Sequence, residues 1–128
     1  MKFELHGEEV KKWNSVCEII EVAAKHEPHA QPGRVQIRLE DEMEVTITYE
    51  SAIFAIQATV ELEKKEAESI GSVSVPSSVF VVFGQCSKKK LTVSDKNNQL
   101  VFKAGLSSNK VGLIEDFEVN DIYASDMA

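Results

Sequence analysis

The chain repeats one order of predicted elements, and this internal repeat is the feature that most constrains its fold. Residues 2–62 are predicted to form a strand, a helix and three strands, and residues 70–114 the same order with a shorter helix. Each repeat is too small to bury a core alone, so we expect the two halves to pack against each other. The sequence therefore predicts one α+β domain over residues 1–117, with two helices packed on one side of antiparallel sheets. Residues 118–128 are expected to be a tail or the start of a linker.

The first repeat has the clearest periodicity. Apolar residues recur at helical spacing over residues 10–24, and Glu8 and Glu9 lie in the first turn, where the helix dipole favours carboxylates. Alternating apolar residues then predict three strands, over residues 34–39, 43–49 and 52–62. The inner face of the last strand is expected to carry Phe54, Ile56, Ala58, Val60 and Leu62.

The second repeat is less clear in its helix. Val73 and Val75 indicate a strand, and Pro76 suits the start of a helix. Residues 79–83 are rich in β-branched side chains, which favour a strand, but the repeat requires a helix there and we predict one. Three further strands are predicted around residues 91–93, 100–102 and 111–113.

Composition limits the possible partners and surroundings. The 14 basic and 21 acidic residues give a net charge of −7, which argues against a protein that coats nucleic acid unless the basic residues share a face. No apolar run approaches the ~20 residues of a membrane helix, so we expect no membrane partner. Cys17 and Cys86, in predicted apolar helices, indicate buried reduced thiols in a cytoplasmic protein, although the spacing leaves a disulfide open.

The chain shows no catalytic signature. It has no glycine-rich phosphate loop and no nucleophile elbow. His26 and His29 flank Glu27 and Pro28, but zinc normally needs three or four protein ligands and no others are evident nearby. An apolar setting favours an inert thiol at Cys86. We therefore expect no metal, no cofactor and no enzymatic activity.

Several short segments carry a resemblance to a known family. They are the opening residues 1–4, residues 49–50 before the third predicted strand, residues 71–76 before the second helix, residues 100–105 and residues 114–117. Each segment alone is weak, but they occur in order and at matching spacing over nearly the whole chain. On this basis the chain resembles a DNA polymerase sliding clamp of the bacterial β-clamp type, and best its first domain.

The resemblance implies a non-catalytic processivity factor. Clamp domains join edge to edge into a ring, with helices lining the hole, so that duplex DNA is held without sequence preference and a polymerase is tethered to it. It implies three kinds of partner, namely DNA, a polymerase or clamp loader, and further clamp domains. Taken together with the basic residues of the sequence, it gives six candidate DNA-binding residues: Lys11, Lys12, Lys25, Lys88, Lys89 and Lys90.

One departure from the family favours a second function. The family usually carries basic residues on the exposed face of the second helix, whereas the matching positions here are Ser78, Val79, Val82 and Gln85. We therefore keep, as an alternative, a scaffold domain that has the clamp fold and does not bind DNA. Val79 or Val82 is then expected to protrude and to mark a contact with another subunit or domain. A small-molecule-binding α+β domain is a third possibility, without a specific motif behind it.

Ring closure is expected to use the strands that end the repeats. We predict that residues 52–62 of one domain pair with residues 107–113 of its neighbour, because unpaired edges are templates for strand addition. Phe54→Pro is then expected to prevent folding, and Asn109→Pro mainly to impair association. The simpler reading of the lysine-rich positions, which we keep open, is a solvated surface with charge near the helix ends.

Overall fold

The computed structural model describes residues 1–41, 43–53, 55–62 and 70–117. It contains the predicted order of elements twice, so the α+β class and the β-α-β-β-β repeat are confirmed. The elements are β1 (Lys2–His6), α1 (Glu8–Ala24), β2 (Arg34–Asp41), β3 (Glu44–Glu50), β4 (Ala55–Glu61), β5 (Gly71–Pro76), α2 (Ser77–Phe83), β6 (Lys90–Lys96), β7 (Gln99–Ala104) and β8 (Ser107–Gly112).

The strands form two four-stranded antiparallel sheets that exchange their first strands. Sheet A has the order β1-β6-β7-β8, and sheet B has the order β4-β3-β2-β5. Each sheet therefore combines three strands of one repeat with the opening strand of the other. Because neither repeat can complete a sheet without the other, the two halves are expected to fold as one unit.

The core lies between the helices and the inner faces of both sheets. Alternate strand residues such as Val35, Ile37 and Leu39 are buried, as the period of two predicts. Helix α1 contributes an apolar stripe that includes Trp13 and Ile20, both fully buried. The aromatic residues meet in the middle of this core, where the ring centroids of Trp13 and Phe80 lie 5.8 Å apart.

Helix α2 confirms the prediction drawn from the repeat. Its β-branched run stays helical because Phe80 is fully buried and Gly84 ends the helix, donating its N–H to the Phe80 carbonyl at 2.7 Å. Trp13 of α1 donates its Nε1–H to the Gly84 carbonyl at 2.6 Å. The end of α2 is thus fixed by a helix from the other repeat.

Some predicted boundaries are different in the structure. Strand β4 begins at Ala55 rather than at residue 52, because Ser51 accepts a hydrogen bond from the N–H of Ile53 at 3.2 Å and turns the chain. Cys86 lies in the loop after α2, not in a helix, because Gly84 has already ended it. Phe54, most of the charged connector before β5 and the predicted tail over residues 118–128 lie outside the described residues.

The outer face of sheet B is partly covered by residues 114–117. Gln36 and Ser74 are buried polar residues on that face, and both donate hydrogen bonds to the carboxylate of Asp116, at 3.0 and 2.5 Å. The guanidinium carbon of Arg34 lies 4.0 Å from the ring centroid of Phe117. These contacts make the segment after β8 a part of the domain.

Candidate nucleic-acid interface and assembly edges

Helices α1 and α2 pack against each other, and the resemblance predicts that their exposed side faces DNA. Asn14 of α1 exchanges two hydrogen bonds with the backbone of Cys86, at 2.7 and 2.9 Å. Gln85, just after α2, donates to the carboxylate of Glu21 at 2.8 Å. Polar contacts as well as the core therefore hold α1 against the loop that follows α2.

The exposed side of α1 is mixed in charge and partly apolar. Lys11 lies 3.0 Å from Glu8 in an exposed ion pair of one helical turn, which is worth well under 1 kcal/mol. Further along, Ile19 and Val22 are 55% and 59% exposed. A phosphate backbone facing this surface would meet lysines only near the ends of the helix.

The positions of α2 and the residues after it that carry basic residues in the clamp family are all uncharged here. Ser78, Val82 and Gln85 are exposed, and Val82 has 66% of its surface accessible. Val79 is half-buried and packs against the core. The expectation that one of the two valines protrudes is confirmed at Val82.

The six lysines that the sequence singled out do not share one face. Lys11 and Lys12 lie in the first half of α1, whereas Lys25 follows its last residue, about 20 Å further along the axis. The remaining candidates divide between the loop after α2, which holds Lys88 and Lys89, and the first position of β6, which is Lys90.

Two of these lysines occupy positions that the backbone fixes. The Lys89 carbonyl accepts the N–H of Gly7 at 3.0 Å, which places that loop beside the start of α1. Lys90 pairs with His6 across the β1–β6 ladder, and its ammonium lies 3.5 Å from Glu4. The alternation Lys90–Leu91–Thr92 was a signal in the sequence that Lys90 belongs to a sheet face rather than to a helix end.

The two strands predicted to pair with neighbouring domains lie at the edges of their sheets. In the described part of the chain, β4 pairs only with β3, and β8 pairs only with β7. The other two outermost strands approach each other, since a Cβ on Gly71 of β5 would lie 3.2 Å from the Cβ of Met1. In addition, Ile114 donates its backbone N–H to the carbonyl oxygen of Ser74 in β5, at 2.9 Å.

A half-buried polar cluster centres on Glu27, three residues after the end of α1. Its carboxylate accepts the Gly33 N–H at 2.7 Å, the Tyr49 hydroxyl at 2.5 Å and the Ser77 hydroxyl at 2.8 Å. Burial opposes ionisation, but these hydrogen bonds outweigh it and hold the pKa of Glu27 below its ordinary value. Burial and the bond to Glu27 together raise the pKa of Tyr49 to about 12.

The hydrogen bonds of this cluster connect separate elements of the fold. They join the end of α1 to the loop before β2, to β3 and to the first residue of α2. The Glu27 carboxylate accepts hydrogen bonds from three protein groups, namely the Gly33 N–H and the Tyr49 and Ser77 hydroxyls. Within residues 1–41, 43–53, 55–62 and 70–117, no group of three or more His, Cys, Asp or Glu side chains is placed to hold a metal ion.

The two cysteines are free and buried, as expected. Burial raises the pKa of Cys17 to about 12, which keeps it as an unreactive thiol at neutral pH. Cys86 is held by backbone carbonyls of its own loop, with Sγ 3.5 Å from the Lys88 oxygen. No helix over the described residues is long and apolar enough to cross a membrane.

Solved structures provide the comparison for this fold. Neither the protein-family models nor the curated proteins gave a match. The DNA polymerase III β subunit of Pseudomonas aeruginosa is similar with a TM-score of 0.73 at 15% identity, covering 94% of this chain and 32% of that one. The Helicobacter pylori β clamp bound to a DNA ligase peptide has a TM-score of 0.73 at 12% identity, covering 94% of this chain and 34% of that one.

A third similar structure is the β subunit of the Streptococcus pyogenes DNA polymerase, with a TM-score of 0.66 at 13% identity, covering 90% of this chain and 30% of that one. The chain spans about a third of the length of these proteins. At such low identity the likeness concerns the fold, and it extends over both repeats. The protein is therefore a sliding-clamp-like domain in its fold.

Proposed function

We propose that the protein is a non-catalytic module of a sliding-clamp-like ring that encircles duplex DNA and tethers a polymerase to it. The observation that carries the proposal is the position of β4 and β8, the outer strands of the two sheets in a clamp-like fold. Pairing β4 of one domain with β8 of the next would join sheet B to sheet A and continue the wall of a ring.

Charge at the two edges supports this pairing. Glu61 of β4 lies directly opposite Glu44 of β3, and like charges in that position destabilise a sheet. Lys110 lies on β8, on the outer face of sheet A. A neighbouring β8 would bring a lysine towards two carboxylates that repel each other within one domain.

The partners follow from the same proposal. Lys11, Lys12, Lys25, Lys88 and Lys89 would supply weak, sequence-independent phosphate contacts, as sliding requires. One of the similar clamps was solved with a DNA ligase peptide. We propose that peptides of a polymerase, a loader or a related replication protein bind the assembled ring, and that it works in the cytoplasm, where thiols stay reduced.

The test uses the topology of the DNA. The protein is added as dissociated subunits to nicked circular duplex, allowed to assemble, and separated by gel filtration before and after the circle is cut once. A ring is expected to stay with the circle and to be lost from the linear form. Equal retention on both forms would contradict encirclement, because ordinary phosphate contacts do not depend on DNA ends.

A second candidate function is favoured by the helix surface. Ile19, Val22 and Val82 expose apolar side chains where a DNA-facing surface would be cationic. A scaffold domain that binds protein through this face would assemble through β4 and β8 but show no retention on circular DNA. Ile19→Lys with Val82→Lys distinguishes the two functions, since it should strengthen DNA retention in a ring and abolish partner binding in a scaffold.

A further inference from the structure

The outer face of sheet A collects lysines from all four of its strands. Strand alternation buries Leu91, Val93, Leu100 and Phe102, so the residues between them point away from the core. The ladders β1–β6, β6–β7 and β7–β8 place opposing residues on the same face. The lysines on this face, hereafter the sheet A lysine face, are Lys2, Lys90, Lys96, Lys103 and Lys110.

This face differs in charge from the rest of the protein. Among the described residues of the four strands, Glu4 is the carboxylate on the outer side, 3.5 Å from Lys90 and 3.3 Å from the His6 ring. Asp95 lies opposite Leu100, on the inner side, and is bound to the terminal amine of Met1 at 2.7 Å. Five lysines against one glutamate thus form a positive surface on a chain of net charge −7.

The spacing of the lysines suits an extended ligand. Lys90 and Lys96 are separated by six residues of one strand, or about 20 Å, and Lys2 and Lys110 by three strand spacings, or about 14 Å. In the register, no two lysines are direct cross-strand partners. A single phosphate could contact only one or two of them, whereas a chain of phosphates could contact several.

The other groups on the face also match phosphate. A depression of about 450 Å³ lies over the middle of the face, and three lysines and two hydroxyl residues line it beside the single carboxylate of Glu4: Lys2, Lys90, Lys103, Thr92 and Ser94. Hydroxyl and ammonium groups are the usual donors to phosphate oxygens. No Phe, Tyr or Trp side chain lies on the described part of this face, so the surface lacks the stacking platform of single-strand binders and an aromatic membrane anchor.

We propose that the sheet A lysine face binds the sugar–phosphate backbone of duplex nucleic acid, without reading its sequence. This surface lies on the outside of the fold, away from the helices, and four of its lysines lie on strands other than the β8 edge proposed for ring closure: Lys2, Lys90, Lys96 and Lys103. It would hold a second segment of DNA against the outer wall while the helix side faces the first.

The experiment measures binding of a labelled duplex of about 20 base pairs by fluorescence anisotropy at a series of salt concentrations. If five lysines each neutralise one phosphate, affinity should fall about 500-fold between 50 and 200 mM salt. Lys96→Gln with Lys103→Gln should reduce this fall to about 40-fold. Both side chains are exposed, and circular dichroism checks that the variant is folded.

The matched control is Arg38→Gln on the outer face of sheet B, where no phosphate contact is proposed, and it should leave the salt dependence unchanged. Lys11→Gln with Lys12→Gln tests the helix side separately: if that variant loses duplex binding and the sheet A variant keeps it, the proposal is wrong while the ring function stands. An absence of duplex binding would also overturn it. So would binding to phosphatidylserine vesicles or to polyglutamate in place of the duplex, which would assign the face to a membrane or to an acidic protein.

Discussion

At the scale of single residues, Glu27 connects more of the structure than any feature of the sequence around it suggests. It follows α1, yet its hydrogen bonds reach Gly33, Tyr49 and Ser77 in three later parts of the chain. Bonds to a charged acceptor are worth more than neutral ones. We therefore expect the ionised carboxylate to stabilise the fold.

The substitution Glu27→Gln tests this role. It should lower the free energy of unfolding at pH 7 by about 1–2 kcal/mol, because a neutral amide is a weaker acceptor for three donors. Urea denaturation gives the value, and Glu18→Gln on the exposed side of α1 is the matched control. Equal unfolding midpoints for the two variants would show that the Glu27 cluster contributes nothing.

The same residue predicts a dependence on pH. The pKa values of Glu27 and Asp116 are both held low in the fold, by hydrogen bonds that outweigh burial. The two carboxylates contribute fully to the free energy of unfolding above the pKa that they have in the unfolded chain. This contribution is lost as the pH falls through their lowered pKa values in the folded protein. Stability should therefore decline below about pH 4, and less steeply in Glu27→Gln. Identical acid unfolding curves would contradict this.

These residue-level features could not be read from the sequence. A carboxylate after a helix is common, and the partners that make Glu27 special are 6, 22 and 50 residues away. Lys90 was placed beside the helix end because it is adjacent to Lys88 and Lys89, although alternation with Leu91 and Val93 already indicated a sheet face. The local alternation predicts which face of a sheet a strand residue occupies, but it does not predict which distant residues lie on the same face.

At the scale of elements, the repeat was a better guide than local propensity. Helix α2 has only seven residues, and its valines and phenylalanines favour a strand. It forms because Phe80 fills the core beside Trp13, a contact between the two halves that no local window contains. By contrast, the stripe of α1 and the alternation of β2 and β3 are local patterns, and they predicted those elements well.

The end of α2 provides a stability test. A Cβ on Gly84 would lie 2.6 Å from the Phe80 carbonyl oxygen, closer than real Cβ atoms approach, whereas a Cβ on Gly112 would meet nothing within 4 Å. We expect Gly84→Ala to destabilise the fold by about 1–3 kcal/mol and Gly112→Ala to change it by less than about 0.5 kcal/mol. Chemical denaturation of both variants checks this, and similar midpoints would contradict it.

The geometry of the β7–β8 hairpin determines which backbone N–H groups of β8 point towards the open edge of the sheet. Gly105 and Leu106 join the strands, so Ala104 and Ser107 form the closing hydrogen-bonded pair. Hydrogen-bonded and non-bonded pairs alternate along such a ladder. The N–H of Asn109 is therefore directed to Phe102, and that of Ser108 to the open edge.

This hydrogen-bond pattern changes the expected effect of Asn109→Pro. The substitution should destabilise the fold itself, because it removes the hydrogen bond from residue 109 to Phe102 inside sheet A. Ser108→Pro should instead leave the fold intact and prevent association through β8. Thermal unfolding and light scattering of the two variants separate these effects, and a normal assembly by Ser108→Pro would show that β8 is not the pairing edge.

At the scale of the whole molecule, the exchange of first strands between the sheets joins both repeats into one domain and leaves β4 and β8 as its outer strands. The repeat in the sequence predicted that the halves form one domain and that the strands ending them are its edges, but it did not predict the exchange of first strands. It did not predict the distribution of charge, which depends on register: the lysines of sheet A come from four strands that are up to 108 residues apart, from Lys2 to Lys110.

Edge-to-edge pairing predicts compensation between two charges. Lys110→Glu should weaken association about tenfold or more, because it would add a third carboxylate beside Glu44 and Glu61. Combining it with Glu61→Lys should restore much of the loss. Lys96→Glu, on the same sheet but away from the edge, is the control. If the double variant associates no better than Lys110→Glu, the edges do not meet in this way.

The solution mass of the protein, measured by light scattering over a range of concentrations, tests the central claim most directly. The claim is that these clamp-like domains join through β4 and β8. It predicts a discrete closed oligomer, with six copies as the number that matches a clamp ring, and its conversion to monomer by Ser108→Pro. A strict monomer at every concentration, or an oligomer that Ser108→Pro leaves intact, would contradict it.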